Sequence, residues 1–154
     1  MFEAMRRKER QITGEETEEI LKNGEYGIFS SVGEDGYPYG VPVNYIFYNG
    51  RIYFHCAAQV GKKLDNLKFS DKACFTVVAQ AEVLPQELST RYQSAMVFGR
   101  ARRLERGKEE ILRALCARFA PEYPEVMEKS LKNQMAVTDI VELVPEHMTG
   151  KRRK

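Results

Sequence analysis

Pro38-Tyr39-Gly40-Val41-Pro42-Val43-Asn44-Tyr45-Ile46-Phe47-Tyr48-Asn49-Gly50-Arg51-Ile52-Tyr53-Phe54-His55-Cys56 decides how the chain is read. Its apolar residues alternate, the mark of an extended strand with one buried face rather than of a helix. Val41, Val43, Tyr45 and Phe47 fall on that face, and Asn49-Gly50 has the chemistry of a tight hairpin turn. Arg51–Cys56 therefore returns antiparallel to the run before it. Pro42 has no N–H to give to a ladder, so its strand belongs at a sheet edge or carries a bulge there. Either way, backbone groups are left for another partner.

Outward from this hairpin the pattern continues. Tyr26–Val32 is a strand, joined to it through the turn Gly33-Glu-Asp-Gly36. Val60, Leu64 and Leu67 recur at helical spacing, which predicts a short helix over Gly61–Phe69. Ala73–Ala81 and Ala95–Leu104 read as strands, and residues 82–93 as a polar loop broken by Pro85. Thr13–Gly24 reads as a helix with glutamates in its first turns, which the helix dipole favours, and Asn23-Gly24 as its left-handed close. A second helix runs from Gly107 to Phe119 with Ile111, Leu112, Leu115 and Phe119 on one side. Pro121 and Pro124 interrupt it before a short helix at about 125–133. Val137–Val144 is the last strand. Residues 1–13 are expected to form an arm and residues 145–154 a polar, basic tail. The whole predicts a single domain over residues 1–154, mainly β with flanking α-helices: a small antiparallel barrel.

Composition narrows the function. The chain has 154 residues, 43% hydrophobic and 30% charged, and a formal net charge of +2, so neither disorder nor a nucleic-acid surface is indicated. No apolar run approaches the ~20 residues of a membrane-spanning helix, and with no apolar core behind the charges of Met1–Arg10 no signal peptide is expected. Cys56, Cys74 and Cys116 are odd in number and widely spaced, which suits a reducing cytoplasm. Only two histidines, His55 and His147, are present, without a Cys/His cluster, so no metal site is expected. GxSxG, GxxxxGK[ST] and GxGxxG are all missing. With so few reactive side chains, redox or transfer chemistry would fall to a bound cofactor.

Two stretches could hold one. In Ile52-Tyr-Phe-His-Cys-Ala-Ala-Gln-Val-Gly-Lys-Lys-Leu64 a strand leads through small residues into a helix with Lys62 and Lys63 in its first turn. A helix N-terminus disfavours lysine unless an anion sits there, and phosphate is the natural one. The two lysines read equally as solvated surface residues. Gly40-Val-Pro-Val-Asn44 could lie along a planar aromatic ligand, or could simply be an edge strand of the core sheet. His55 alternates with Phe54 and so points away from the core. The stripe from Ile111 to Phe119 reads as core packing, and Cys74 and Cys116 as structural.

Taken in order, Asp35–Tyr45, Ile52–Ala57, Gly61–Asn66, Val97–Ala101 and Thr149-Gly-Lys151 resemble the pyridoxamine-5'-phosphate-oxidase-related FMN-binding split barrels. The nearest likeness is to their nitroimidazole-resistance (Nim-like) branch. The resemblance implies a six-stranded antiparallel split β-barrel that forms a homodimer, with FMN in two equivalent clefts between the subunits. It places Val41, Pro42, Val43 and Asn44 along the isoalloxazine ring, and His55, Cys56 and Ala57 in the cleft where ring meets ribityl chain. Gly61 and Lys62 would hold the phosphate, with Lys63 second. Tyr92, Ser94 and the strand around Gly99 would approach from later strands, and His147 and Lys151 would reach the partner's flavin. The implied activity is an FMN-dependent oxidoreductase acting on a small, flat, electron-poor substrate, with NAD(P)H as electron source and His55 as proton donor. Gln59-Val-Gly-Lys62 stands where the oxidases acting on pyridoxamine phosphate carry Arg-Lys-Gly-Lys, which argues against vitamin B6 oxidation. A flavin-binding redox module without turnover, and a haem protein ligated by His147, are the alternatives.

Overall fold

The computed structural model describes residues 1–154. Seven strands form one antiparallel sheet: β1 (Tyr26–Val32), β2 (Pro38–Asn44), β3 (Ile46–Tyr48), β4 (Arg51–Ala57), β5 (Lys72–Leu84), β6 (Ser89–Arg103) and β7 (Thr138–Arg153). Their order across the sheet is β2-β1-β5-β6-β7-β4-β3. The two edge strands, β2 and β3, are consecutive in the chain and separated by Tyr45 alone. Two peptide steps span at most about 7 Å, so the sheet must roll until its edges nearly meet. That covalent constraint makes the barrel.

It also explains the strand count. The run Pro38–Tyr48 is two strands rather than one, because it leaves one edge of the sheet at Asn44 and joins the other at Ile46. Tyr45 at the crossing is wholly buried and donates its hydroxyl to the Leu21 carbonyl at 2.6 Å. Burial pushes its phenol pKa far up, so it remains a donor. Pro42 lies on an edge strand, as its missing N–H requires.

Phe29, Tyr45, Ile52, Phe54, Phe75 and Val97, all wholly buried, fill the barrel. A separate apolar layer lies outside it, where helices α3 (Lys108–Phe119) and α4 (Pro124–Gln134) cover Ile46, Tyr53 and Ile140. Helix α1 (Gly14–Asn23) starts with a full capping box between Thr13 and Glu16. Helix α2 (Lys62–Phe69) follows β4 and packs on β1.

Three expectations are corrected. Residues 82–93 are not a loop: β5 and β6 run on as a paired ribbon to Leu84↔Ser89, closed by Pro85–Glu87 and by Leu88 at φ 47°. The ribbon lacks a buried face, so no apolar alternation betrays it. Residues 145–154 are not a tail, since β7 continues to Arg153 along β6, with Arg152 on Glu16 at 2.8 Å and Arg153 on Glu87 at 3.4 Å. Gly24 is not left-handed; its φ is −67°. A side chain there would strike the Tyr45 hydroxyl and Val77, so glycine serves close packing instead. The arm is ordered at its end, where Ile12 donates to the Gly150 carbonyl at 3.1 Å.

Candidate functional site

The barrel is left open along one seam. β2 pairs only with β1, and β3 covers β4 only from Arg51 to Tyr53. Phe54–Ala57 of β4 therefore keeps one edge without a partner, as does β2. Alternation sends Val41 and Val43 half-buried against the core and leaves Pro42 and Asn44 exposed. On β4, Phe54 is wholly buried, Cys56 is half-buried, and His55 and Ala57 face outward. Burial pushes the Cys56 thiol up, against a smaller pull from Lys63, so it stays protonated and unreactive at neutral pH.

β4 enters α2 through a strained turn. Gln59 and Gly61 both have positive φ, 61° and 107°. Asp139, buried beneath the turn, accepts the Gln59 N–H at 3.0 Å and holds it in place. No feature near Asp139 in the sequence signals this, because it reaches the turn only through the β4–β7 pairing. Gly61 caps α2 without a side-chain hydrogen bond, so the helix presents its first amides to solvent. Lys62 lies beside them, 2.7 Å from the Asp35 carboxylate and 5.9 Å from the centre of the Tyr39 ring. This lysine holds the Asp35 carboxyl below its usual range. Lys63 is half-buried on the adjoining turn.

Six of the predicted residues line three separate clefts of the chain. Asn44 and His55 share a cleft of about 500 Å³ beneath α3 and α4. Asn44 donates its amide N–H to the Glu25 carbonyl at 2.8 Å. Lys62 borders an open acidic hollow with Asp35 and Asp65. Ser94, His147 and Lys151 line a third cleft, of about 410 Å³, with Phe2 of the arm. Phe2 stacks on His147 at 4.9 Å and 5° between planes. Tyr92 stands apart, its hydroxyl accepting from Arg10 at 3.4 Å. Cys116 and Phe119 enter the first cleft from α3, although the helical stripe reads as core. Phe119 is 39% exposed. The signal that could have separated it from Leu115 is its place at the helix end.

The family model described as pyridoxamine 5'-phosphate oxidase matches residues 13–152, nearly the whole chain. The chain belongs to this family. Solved structures agree on its split-barrel fold. A candidate 5-nitroimidazole antibiotic resistance protein from Bacteroides thetaiotaomicron superposes with a TM-score of 0.74 at 22% identity, over 92% of this chain and 85% of that one. The flavocytochrome Anf3 from Azotobacter vinelandii gives 0.83 at 19% identity, over 98% and 72%. A FAD and heme binding protein from Mycobacterium smegmatis gives 0.77 at 22% identity, over 94% and 74%. No curated protein matches the chain. No helix of this family member is long and apolar enough to cross a membrane.

Proposed function

We propose that the chain is a flavin-binding oxidoreductase of the cytoplasm, in which two copies share two FMN sites and reduce a small planar substrate with electrons from NAD(P)H. The observation that carries this reading is the seam. Two unpaired strand edges, Val41–Asn44 and Phe54–Ala57, lead to the uncapped, lysine-bearing start of α2. Several structural relatives bear flavin in their descriptions, including the Anf3 flavocytochrome and the mycobacterial FAD and heme binding protein.

The donor set fits a phosphate-bearing flat ring. The free amides of α2 and the Lys62 ammonium supply charge-assisted hydrogen bonds for the phosphate. Pro42 offers the ring an apolar surface with no N–H to desolvate. Backbone groups of the two edges and the Asn44 amide read its polar rim. Bound here, the flavin would supply reversible two-electron chemistry. His55 faces outward beside the seam, where its imidazole would give a proton to substrate. Tyr92, Ser94 and Lys151 stand elsewhere in the chain. A two-fold arrangement gives them a role on the flavin held by the other copy.

The first experiment is an absorption spectrum of purified protein, with FMN titration and sedimentation. A flavin band, saturable FMN binding and a dimer are expected. Protein that stays colourless with added FMN overturns the reading. NAD(P)H consumption with a quinone acceptor then separates an enzyme from a carrier.

A further inference from the structure

The wall of the cleft between α3, α4 and β4 holds no Asp, Glu, Lys or Arg. Three other clefts each carry at least two, such as Arg51 and Glu142, Glu3 and Lys151, or Asp35 and Lys62. At about 500 Å³ it lies within the size range of small-molecule sites, which run to about 300–1,000 Å³. Leu115, Cys116 and Phe119 give it an apolar wall, and His55, Gln134 and Asn44 give it hydrogen-bonding groups. Of these three, only Asn44 is engaged, by the Glu25 carbonyl.

We propose that this cleft binds an uncharged, flat aromatic molecule, about two fused rings in size, that turns a carbonyl-type oxygen toward His55 and Gln134. Charge decides the class. A carboxylate or phosphate entering here would lose hydration and meet no free cation, since Lys108 is taken up by the Met135 and Thr138 carbonyls and Arg118 lies over the Phe119 ring. A neutral ring loses little and buries its faces against Leu115 and Phe119. An oxygen acceptor takes up the imidazole or amide donor, neither of which has a partner within the chain. The site opens at His55, on the outward face of the β4 edge that borders the flavin seam. Its use as the reductase's substrate pocket rests on the function proposed above; the binding itself does not.

The test is equilibrium dialysis of the full-length protein, with and without FMN, against 2-acetylnaphthalene and its anionic analogue 2-naphthoate. The ketone is expected to saturate at one molecule per chain, and the carboxylate to bind at least about tenfold more weakly. Cys116→Trp, which fills the cleft, and Phe119→Asp, which places a charge at an exposed position of its wall, should each weaken the ketone at least about tenfold. Phe119→Asp keeps the test valid if the tryptophan variant fails to fold. Non-saturable uptake, equal binding of the two ligands, or full affinity in the aspartate variant overturns the proposal. Loss of ketone binding as protein concentration rises overturns it too, since a second copy would then cover the cleft. FMN binding without ketone binding removes this proposal alone; ketone binding without FMN binding removes only the flavin reading.

Discussion

The first half of β4, Arg51–Tyr53, and the second half, Phe54–Ala57, belong to one strand yet stand in opposite chemical situations. In the first half β3 pairs along one edge, and β7 along the other from Ile52 onward. Its polar groups converge on Glu142, whose side chain is only 3% exposed. Arg51 and the Tyr53 hydroxyl donate to one carboxylate oxygen and Arg102 to the other, each at 2.9 Å. In the second half one edge has no partner, and the His55 ring faces outward. Saturated polar groups hold a fold together, whereas unsaturated ones are available to a ligand. The two halves should therefore answer mutation differently, the first in stability and the second in binding.

The largest expected effect is at the saturated end. Glu142→Gln keeps the shape and removes the charge, leaving two guanidiniums over a neutral amide. Stability should fall by about 3 kcal/mol, at the low end for breaking a buried ion pair because both arginines are partly exposed. A drop in Tm of roughly 6–12 °C follows for a chain of this size. FMN affinity should not change. A variant as stable as the wild type would show that the network is ornamental.

The same carboxylate predicts a pH dependence. Burial pushes its pKa upward, but Arg51, Arg102 and Tyr53 outweigh that and hold it below the usual glutamate value. A group depressed in the folded state adds stability in full above its unfolded pKa, and loses it as pH falls through the folded one. The gap between wild type and Glu142→Gln in chemical denaturation should be widest at neutral pH and close in acid. A gap that is independent of pH would assign the loss to packing.

The same division governs what the sequence reveals. Asn49-Gly50 and Pro42 act through their own backbone, so the hairpin and the edge position are both legible. The fold's defining step is not: nothing in Asn44-Tyr45-Ile46 says that the chain changes edges there, because only the barrel as a whole requires it. The ribbon beyond Val78 and the β7 extension carry no apolar alternation, being held by ladder bonds and by pairs such as Arg91–Glu82 at 2.6 Å. At the site, Lys62 is legible as a lysine where a helix should have an acid. Asp139 under the turn and Cys116 across from His55 are brought there by pairings of distant residues, which periodicity does not report.

At the open end, Lys62→Ala tests binding without stability. The ammonium is 43% exposed in its pair with Asp35, and an exposed pair contributes under about 1 kcal/mol. Chemical denaturation should therefore move by no more than about 0.5 kcal/mol. FMN should bind at least about tenfold more weakly, a loss of about 1.4 kcal/mol. An unchanged FMN titration would move the phosphate away from α2 and turn these lysines into solvated surface.

The smallest effect concerns Asp35, which already occupies the Lys62 ammonium. An incoming phosphate must draw Lys62 away from that carboxylate, so Asp35 competes with the ligand it sits beside. Asp35→Asn removes the competing charge yet keeps an oxygen to accept the Tyr37 N–H, which the carboxylate takes at 3.1 Å. Stability should not change measurably, and FMN should bind roughly two- to threefold more tightly, the share of an exposed ion pair. The gain should shrink as salt rises, since screening weakens the competition it removes. Weaker FMN binding in this variant would mean that the carboxylate orients Lys62 toward the phosphate instead of withholding it, and the open end of β4 would then be built as deliberately as the closed one.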